Sequence, residues 1–545
     1  MTSAHRSLDP VDLEIARNRM ESIAEEVGTT LIRTSYSPNI KDRRDCSAGL
    51  YRPSGELIAQ AEHIPLHLGL MPTLVRRALD EIGRETLRPG DVLLTNNPYL
   101  GGSHLPDTCV ITPVFVGDQL VAVIANMAHH VDIGGITPGS MATHATEIFQ
   151  EGVRIPPLRL YKEGELAQDV LALLLTNVRT PETTRGDLMA QVSANMIGIR
   201  RVLEIVDDWG AAQLAVACDA LVDYAERRTR AALAALPDGE GQFTDYLEHN
   251  GVCDQRIPIT ANVRKHGDEL VVDLSESADQ VAGAVNCSSA ITDACVGYVV
   301  KLLADATLPS NAGLMRPITV ITRPGSVVSA QFPAPVANGN TQTSMRIVDA
   351  LLGAFDHLSP GLAPAASCGS QNILTIGGTD PATGQPYSYV ETYAGGQGAS
   401  AATAGADAVH THMTNTRNTP CEVIEREYPL RVERYTIARG TGGDGARRGG
   451  DGLVRELTLT RGSATAVIAT SRTTTRPWGL HGGADAASSQ SWTTDDTGRR
   501  NLPSMGQVAL TAGQSLAIQT AGGGGYGAID PGAEPAPATP HTTGK

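Results

Sequence analysis

Residues 108–135, TCVITPVFVGDQLVAVIANMAHHVDIGG, are the stretch that most clearly predicts the fold of this chain. Two β-rich runs, 108–116 and 119–128, are separated by a Gly-Asp pair, which is typical of a hairpin turn. The second run is apolar and leads directly into His129, so a buried strand would deliver this histidine and Asp132 to a loop. Active sites of α/β sheets favour loops at the C-terminal ends of strands. The stretch therefore predicts a sheet with chemically capable residues at one strand end.

Helical periodicity lies on both sides of this hairpin. An N-cap pair, Asp9-Pro10, precedes apolar residues at helical spacing that run to about Ile32, and Pro72 opens a second amphipathic pattern. A third helical stretch covers roughly 184–235, and further on strand-like runs surround one helical segment at 291–304. The sequence therefore predicts a mixed α/β (α+β) fold, a large multi-layer body with a β-rich C-terminal region.

Changes in composition divide the chain into four predicted parts. An N-terminal α/β region spans residues 1–238 and carries the candidate site, and a central α/β region spans 239–427. Between 428 and 529 short β-rich runs alternate with glycine clusters. The last segment, 530–545, is rich in Pro, Ala and Thr without periodicity, so it is predicted to be a disordered tail.

Composition excludes several classes of protein. Of the 545 residues 41% are apolar and 19% are charged, so a sizeable core can form. A net charge of −16 makes nucleic-acid phosphates an unsuitable partner. No apolar run reaches the roughly 18 residues that span a membrane, and the N-terminus has no signal pattern, so a soluble cytoplasmic protein is expected. The 57 glycines, against only 5 Phe, predict many turns and a small aliphatic core.

The densest group of polar residues lies between Asp42 and Glu151. Six of the 14 histidines fall in the segment from position 63 to position 144. Imidazole nitrogen and carboxylate oxygen together suit a divalent transition metal, which takes these ligands at about 2.0–2.2 Å. The residues predicted to hold such an ion are His129, Asp132, His104 and Asp107.

These assignments have structural alternatives. In the His129-His130 doublet, successive side chains of a strand point to opposite faces, so that only one reaches a common centre, and we favour His129. Asp107 can instead stabilise its own turn. His63 and His67 are four residues apart, as in a helical metal pair, but Pro65 between them argues against a helix there.

A second polar group lies downstream. The segment NGNTQTSMR (338–346) precedes an apolar helix whose backbone donors could hold an anion with Arg346, although a capped helix with a solvated arginine is the alternative. Residues 410–420 form either a solvated loop or the lining of a substrate pocket. The GxGxxG matches at 440–445 and 522–527 do not join a strand to a helix, and no GxxxxGK[ST] motif occurs. The sequence thus offers no recognisable ATP site.

Ten long motifs carry a resemblance to a known family. They are KDRRDCSAGLY (41–51), AEHIPLHLG (61–69), NNPYLGGSHLPD (96–107), AHHVDIGGITPGSM (128–141), EIFQEGVRIPP (147–157), LPSNAGLMRPI (308–318), NGNTQTSMRIVDALLGA (338–354), HMTNTRNTPCEVIEREYPLRVERY (412–435), RPWGLHGG (476–483) and GGGGYG (522–527). From about Asp9 to Gly527 the chain resembles the hydantoinase B family. This family includes the B subunits of ATP-dependent N-methylhydantoinases, the C-terminal half of 5-oxoprolinases, and the α subunits of acetone and acetophenone carboxylases.

The resemblance implies a two-part enzyme. An A-type partner chain binds ATP and activates the substrate, and the B-type chain completes the reaction in a hetero-oligomer with more than one copy of each chain. We favour the amidase branch, in which the chain hydrolyses a hydantoin or 5-oxoproline-like ring. The alternatives are the α subunit of an ATP-dependent acetone- or acetophenone-type carboxylase and a non-catalytic scaffold subunit.

The resemblance also implies site residues. In the carboxylase branch the metal ligands are a His-x-x-Asp element, matched by His129 and Asp132, and a later histidine, where this chain has Arg154. This departure favours the amidase branch, with His104, Asp107 or His144 as a substitute ligand. The expected metal is Zn, Mn or Fe, which lowers the pKa of a bound water. The candidate general bases are Asp45, Glu147 and Glu151, and the candidate substrate-binding residues are Arg154, Arg346, Arg417 and Asn338.

Overall fold

The computed structural model describes residues 8–61 and 63–529. The predicted disordered tail at 530–545 lies outside the described residues. Nine α-helices occur in the described part: α1 Pro10–Thr34, α2 Pro38–Lys41, α3 Pro65–Ile82, α4 Gln168–Thr176, α5 Pro181–Trp209, α6 Ala211–Ala235, α7 Ser289–Leu303, α8 Ser344–Leu358 and α9 Cys421–Glu427.

The same residues form twenty strands in four sheets. The strands are β1 Cys46–Tyr51, β2 Leu57–Gln60, β3 Val92–Thr95, β4 Asp107–Val116, β5 Gln119–His129, β6 Leu158–Lys162, β7 Glu165–Leu166, β8 Gly239–His249, β9 Asp254–His266, β10 Glu269–Asp273, β11 Ile318–Ile321, β12 Ile373–Thr379, β13 Pro386–Thr392, β14 Leu430–Ala438, β15 Gly452–Leu459, β16 Ser463–Ala469, β17 Gln490–Asp495, β18 Gly498–Asn501, β19 Met505–Thr511 and β20 Ser515–Gln519.

The predicted hairpin is confirmed as β4 and β5, which lie at the centre of a seven-stranded sheet. Its strand order is β2-β1-β5-β4-β3-β6-β7, and every neighbouring pair is antiparallel. The rule for parallel α/β sheets therefore does not locate the site here. Instead, the antiparallel register sets the first residue of β4, Asp107, directly opposite the last residue of β5, His129.

Helices cover both faces of this sheet. The N-cap predicted for α1 is confirmed, because the Asp9 side chain accepts the backbone N–H groups of Val11 and Asp12 at 2.9 and 2.8 Å. Helices α1 and α5 pack together on one face, and α3 packs on the other and against α7. The prediction that α3 opens at Pro72 is wrong. It begins at Pro65, whose missing N–H costs nothing in the first turn, and Pro72 lies inside it.

The other three sheets complete the body. A four-stranded sheet, β11-β10-β9-β8, contains one parallel pair, β10 with β11, and packs against α8. A four-stranded sheet, β13-β12-β16-β19, and a five-stranded sheet, β14-β15-β20-β17-β18, make up most of the C-terminal part.

The predicted mixed helix-and-sheet fold with several sheets is confirmed. The boundaries at 238/239 and 427/428 stay predictions. Within the described ranges, no helix combines the length and the apolarity needed to cross a membrane.

Candidate functional site

The hairpin register gathers three potential metal ligands at one end of the seven-stranded sheet. His104 precedes β4, Asp107 begins it, and His129 ends β5. One ligand atom from each lies within 4.8 Å of the other two, and all three side chains are buried. His104 Nε2 is 3.2 Å from Asp107 Oδ2, and the centroids of the two imidazole rings are 4.9 Å apart. We call His104, Asp107 and His129 the histidine–aspartate cluster.

The ring of His104 is oriented by backbone from the other half of the chain. Its Nδ1 lies 3.0 Å from the Ala337 carbonyl, to which only a protonated nitrogen can donate. The neutral ring therefore keeps a lone pair on Nε2, and this buried atom has no hydrogen-bond partner among the described residues. Burial lowers the pKa of His104, but the interactions with Asp107 and the Ala337 carbonyl together outweigh it and the net shift is upward. A lone pair facing a carboxylate is an arrangement that a cation relieves.

Asp107 carries the negative charge of the cluster. Its Oδ2 accepts hydrogen bonds from Ser103 Oγ and, at 3.0 Å, from Asn340 Nδ2, whereas its buried Oδ1 has no hydrogen-bond partner within residues 8–61 and 63–529. His67 Nε2 also lies 3.3 Å from Oδ2. Burial acts to raise the pKa of Asp107, but His104 and His67 hold it well below its usual range. The carboxylate is therefore ionised and available as a ligand.

His129 is held from the side of β1 by the turn before that strand. Asn39 Nδ2 lies 3.0 Å from His129 Nδ1 and donates to the His129 carbonyl at 2.8 Å, while Arg43 donates to Asn39 Oδ1. Burial lowers the pKa of His129 to about 4, against an opposing effect of Asp45. His129 is therefore neutral at physiological pH, the protonation state that a metal ligand needs.

The cluster faces a cavity of about 30 Å³, which has room for one small ion or water. The Asp45 carboxylate, Arg43 and Gln371 line the same cavity, and Ile64 and Met413 supply part of its apolar wall. The cluster offers two imidazoles and a carboxylate, and its atoms His104 Nε2 and Asp107 Oδ1 have no hydrogen-bond partner among the described residues. This set of groups fits a divalent transition metal.

A π-helical turn at Gly339–Thr343 covers the cavity and leads into α8. Such turns occur often at functional sites. Asn340 from this turn donates to Asp107, and the Asn338 side chain is buried beside it with its Nδ2 unpartnered. Thr341 lines the cavity. The polar segment 338–346 thus lies against the polar group that the sequence places between Asp42 and Glu151.

Glu151 is not a member of the cluster, but it binds the backbone just before this π-helical turn. Its Oε1 accepts the backbone N–H groups of Val336 and Ala337, both at 2.8 Å, while the buried Oε2 has no partner. Burial raises the pKa of Glu151 to about 8 in spite of these two bonds. Because Ala337 also accepts from His104, Glu151 positions the residue that orients a cluster histidine.

Asp132 is not part of the histidine–aspartate cluster. Its buried carboxylate accepts the backbone N–H groups of Gly134, Gly139 and Arg179 at 2.9, 3.2 and 2.9 Å. Arg179 Nη1 adds a bond of 3.0 Å. These contacts hold the loop after β5 in place, and the role of Asp132 as a metal ligand stays a prediction without support from its surroundings.

The remaining predicted residues lie away from the cavity. Glu147, His144, Arg154 and Arg417 are exposed. The Arg154 guanidinium stacks 4.8 Å from the centroid of the Phe332 ring. Arg346 is buried, with Nη1 3.5 Å from Asp245 and Nη2 donating to Ser471. Their roles in substrate binding or as a general base stay predictions.

Sequence reasoning missed several residues of the site. Arg43, Asn39 and Asn340 were not singled out, although Arg43 and Asn340 fall inside motifs quoted above. The expectation that Pro65 prevents a helix at His67 is wrong, because Pro65 is the first residue of α3 and leaves His67 in its first turn, next to Asp107. Proline is common at the first helical position, and this is the signal in the sequence that identifies His67.

A family model described as hydantoinase B/oxoprolinase matches residues 9–529. Among curated relatives, a 5-oxoprolinase of Dictyostelium discoideum is 35% identical over 537 residues, which cover 96% of this chain but 41% of that protein. A protein described as the B subunit of a D-/L-hydantoinase, from Pseudomonas sp., is 31% identical and is covered over 90% of its length. The chain therefore spans about two fifths of the 5-oxoprolinase and nearly all of the hydantoinase subunit.

Two solved structures share the fold. An ATP-dependent caprolactamase from Pseudomonas jessenii superimposes with a TM-score of 0.90 at 30% sequence identity, over 96% of this chain and 92% of that one. The nucleotide-free structure of acetone carboxylase gives a TM-score of 0.87 at 18% identity, over 95% and 76%. At that identity the second likeness concerns the fold alone.

Proposed function

Because the chain belongs to the hydantoinase B/oxoprolinase family, we propose that it is the hydrolytic subunit of an ATP-dependent cyclic amidase. In this proposal an A-type partner binds ATP and activates a hydantoin or 5-oxoproline-like ring, and this chain opens the ring. The names of its relatives support cyclic amides as the substrate class. The description of one relative as the B subunit of a hydantoinase supports a hetero-oligomer.

The observation that carries the proposal is the histidine–aspartate cluster with its small cavity. A divalent Zn, Mn or Fe ion held by His104, Asp107 and His129 supplies Lewis-acid chemistry, which polarises an amide oxygen and acidifies water. The protein contributes the orientation of these ligands. Ala337 fixes the His104 ring, and Asn340 fixes the Asp107 carboxylate.

Among the three candidate general bases, Asp45 is the one that lines the cavity. Its carboxylate lies close enough to act electrostatically on both His104 and His129. It is therefore placed to take a proton from water at the cluster. Glu147 is exposed, and the Oε1 of Glu151 is committed to two backbone N–H groups.

Arg43 closes the other side of the cavity. Its guanidinium donates to the Val390 carbonyl at 2.8 Å and to Thr392 Oγ1 at 2.9 Å, and Nη2 is 3.8 Å from Asp45. The guanidinium thereby links the proposed base to β13.

The test is metal content and turnover of Asp107→Asn and His104→Ala in the complex with the A-type partner. Each ligand change is expected to remove bound metal and to lower kcat by on the order of a thousandfold, since several kcal/mol of transition-state stabilisation are lost. His144→Ala is the matched control, because His144 is exposed and outside the cluster.

Hydantoins, 5-oxoproline and other cyclic amides form the substrate panel, with ketones and bicarbonate as a separate arm. Full ATP-dependent ring opening by the two ligand variants would contradict the proposal. Turnover that requires bicarbonate and a ketone would replace it with the carboxylase alternative.

A further inference from the structure

A separate cavity of about 690 Å³ lies between α3 and α7, beside the histidine–aspartate cluster. The two helices touch at Gly69 and Ala294, where a Cβ on Gly69 would lie 2.3 Å from the Ala294 Cβ. Gly297 widens the cavity, because a side chain there would meet Met315 Sδ at 3.2 Å. Most of the lining is apolar, contributed in part by Pro72 and Leu302.

Two segments form a common wall between this cavity and the cluster. His63 and Pro65 line the large cavity, whereas the intervening Ile64 lines the small one together with His67. The second segment behaves in the same way, because Asn415 faces the large cavity and its neighbours face the small one. The large cavity is thus adjacent to the proposed site of ring opening but distinct from it.

Five charged side chains line the large cavity. Glu56, Lys301 and Arg316 have hydrogen-bond or ion-pair partners, whereas two of opposite sign, Asp293 and Arg76, do not pair in the described part of the chain. Asp293 on α7 is half-buried, and Arg76 on α3 is exposed, and both line the cavity. Within the described ranges, neither side chain makes a hydrogen bond or an ion pair, with each other or with a third group. Burial raises the pKa of Asp293 to about 6, and the charges of Arg77 and Arg76 only partly offset this. Among the described residues the carboxylate is therefore near these two cations but makes no direct ion pair with them.

Unpaired opposite charges at an apolar cavity are complementary to a ligand that carries both charges on an apolar chain. Hydrolysis of a lactam produces such a ligand. Water adds across the ring C–N bond, its oxygen goes to the carbonyl carbon and its hydrogen to the nitrogen, and at neutral pH the linear product carries a carboxylate and an ammonium group. Opening of a hydantoin instead leaves a neutral urea nitrogen, which offers Asp293 no cation.

We propose that the cavity between α3 and α7 binds linear amino acids of the kind released by lactam opening, with the ammonium group at Asp293 and the carboxylate at Arg76. This rests on the proposed function in taking a cyclic amide as the substrate, and it narrows the substrate class to lactams. The cavity then retains the ring-opened product and not the intact lactam, whose amide nitrogen carries no charge.

Calorimetric titration of the full chain, without ATP or partner, tests the proposal. The probes are 5-aminopentanoate and 6-aminohexanoate, compared with hexylamine, hexanoate and the intact six-carbon lactam. We expect saturable binding of the two zwitterions, at least tenfold tighter than the single-charge compounds and the lactam. Zwitterion binding no tighter than that of hexylamine overturns the proposal.

Variants locate the binding. Asp293→Asn and Arg76→Gln are each expected to weaken zwitterion binding at least tenfold. Glu81→Gln, on the exposed side of α3 and outside the cavity lining, is expected to bind like the parent chain. Parental affinity in both cavity variants overturns the proposal. Arg76 is exposed, so its variant tests the site even if Asp293→Asn does not fold.

The binding result is separable from the proposed function. Binding at Asp293 and Arg76 without ring opening by the complex leaves the amino-acid site standing and removes the amidase. Ring opening without zwitterion binding supports the amidase and overturns the amino-acid site.

Discussion

Strand β13 separates two buried polar regions that handle charge in different ways. On one face, Val390 and Thr392 line the cavity of the histidine–aspartate cluster. On the other face, Glu391 forms an ion pair with Arg455, in which Arg455 Nη1 is 3.1 Å from Glu391 Oε1 and both side chains are fully buried. Because successive side chains of a strand alternate, the two regions lie within one strand thickness of each other.

The two regions differ in how completely the oxygens of their buried carboxylates are hydrogen-bonded. Glu391 also accepts the Thr419 N–H at 2.8 Å and the Tyr389 hydroxyl, so each of its oxygens has a donor. Asp107 concentrates its donors on Oδ2, leaves Oδ1 without one, and faces a cavity. A buried carboxylate whose oxygens are both satisfied holds a structure together, whereas one with an open oxygen and neighbouring imidazoles can accept an ion.

The largest effect on stability is expected at the ion pair of Glu391 with Arg455. Arg455→Met leaves Glu391 buried without its cation, which should lower the free energy of unfolding by about 3–5 kcal/mol. Arg434→Met is the matched control, because its ion pair with Glu456 is partly exposed and should cost less than about 1 kcal/mol. Urea titration measures both. A loss under about 1 kcal/mol for Arg455→Met would mean that the pair is no more structural than a surface bridge.

The hairpin shows how much of the site the sequence could predict. A two-residue turn fixes which residues face each other, so Val116 pairs with Gln119. Counting back from there places Asp107 opposite Ala128, and the register shift between Val114 and Phe115 moves it opposite His129. The fold class and the approximate limits of this hairpin follow from local pattern, whereas the register shift does not.

The choice between two similar motifs could not be made in this way. The chain contains His-x-x-Asp at 104–107 and again at 129–132. The structure places both residues of the first element and only the histidine of the second in the cluster. Asp132 turns to the backbone of its own loop, and Ala337 and Asn340 arrive from more than two hundred residues away. Such long-range contacts leave no periodic signal in the sequence.

A smaller effect on stability is expected at Glu151, which belongs to the region around the histidine–aspartate cluster. Its pKa is raised from 4.5 to about 8, so the folded chain holds a proton that the unfolded chain releases. The contribution of Glu151 to stability is therefore fully present below pH 4.5, falls as the pH rises towards 8 by at most about 1.4 kcal/mol per unit, and levels off above. In Glu151→Gln this slope should disappear, while Gln still accepts the two N–H groups.

Urea unfolding of metal-free protein at about pH 5 and about pH 8 measures that slope. The parent chain should lose a few kcal/mol more than Glu151→Gln between the two values. Glu147→Gln, an exposed neighbour, should behave like the parent. Equal slopes in the parent and Glu151→Gln would show that Glu151 is solvated and ionised in the folded chain.

The smallest expected effect concerns the donor that orients Asp107. Asn340→Ala removes the 3.0 Å hydrogen bond to Oδ2 without touching a cluster ligand, so metal affinity should fall by about tenfold to a hundredfold. Thr341→Ser, in the same wall, keeps that bond and should leave affinity unchanged. Competition with a chelating dye measures both. Unchanged affinity in Asn340→Ala would mean that Ser103 and His67 suffice to orient the carboxylate without a donor from the π-helical turn.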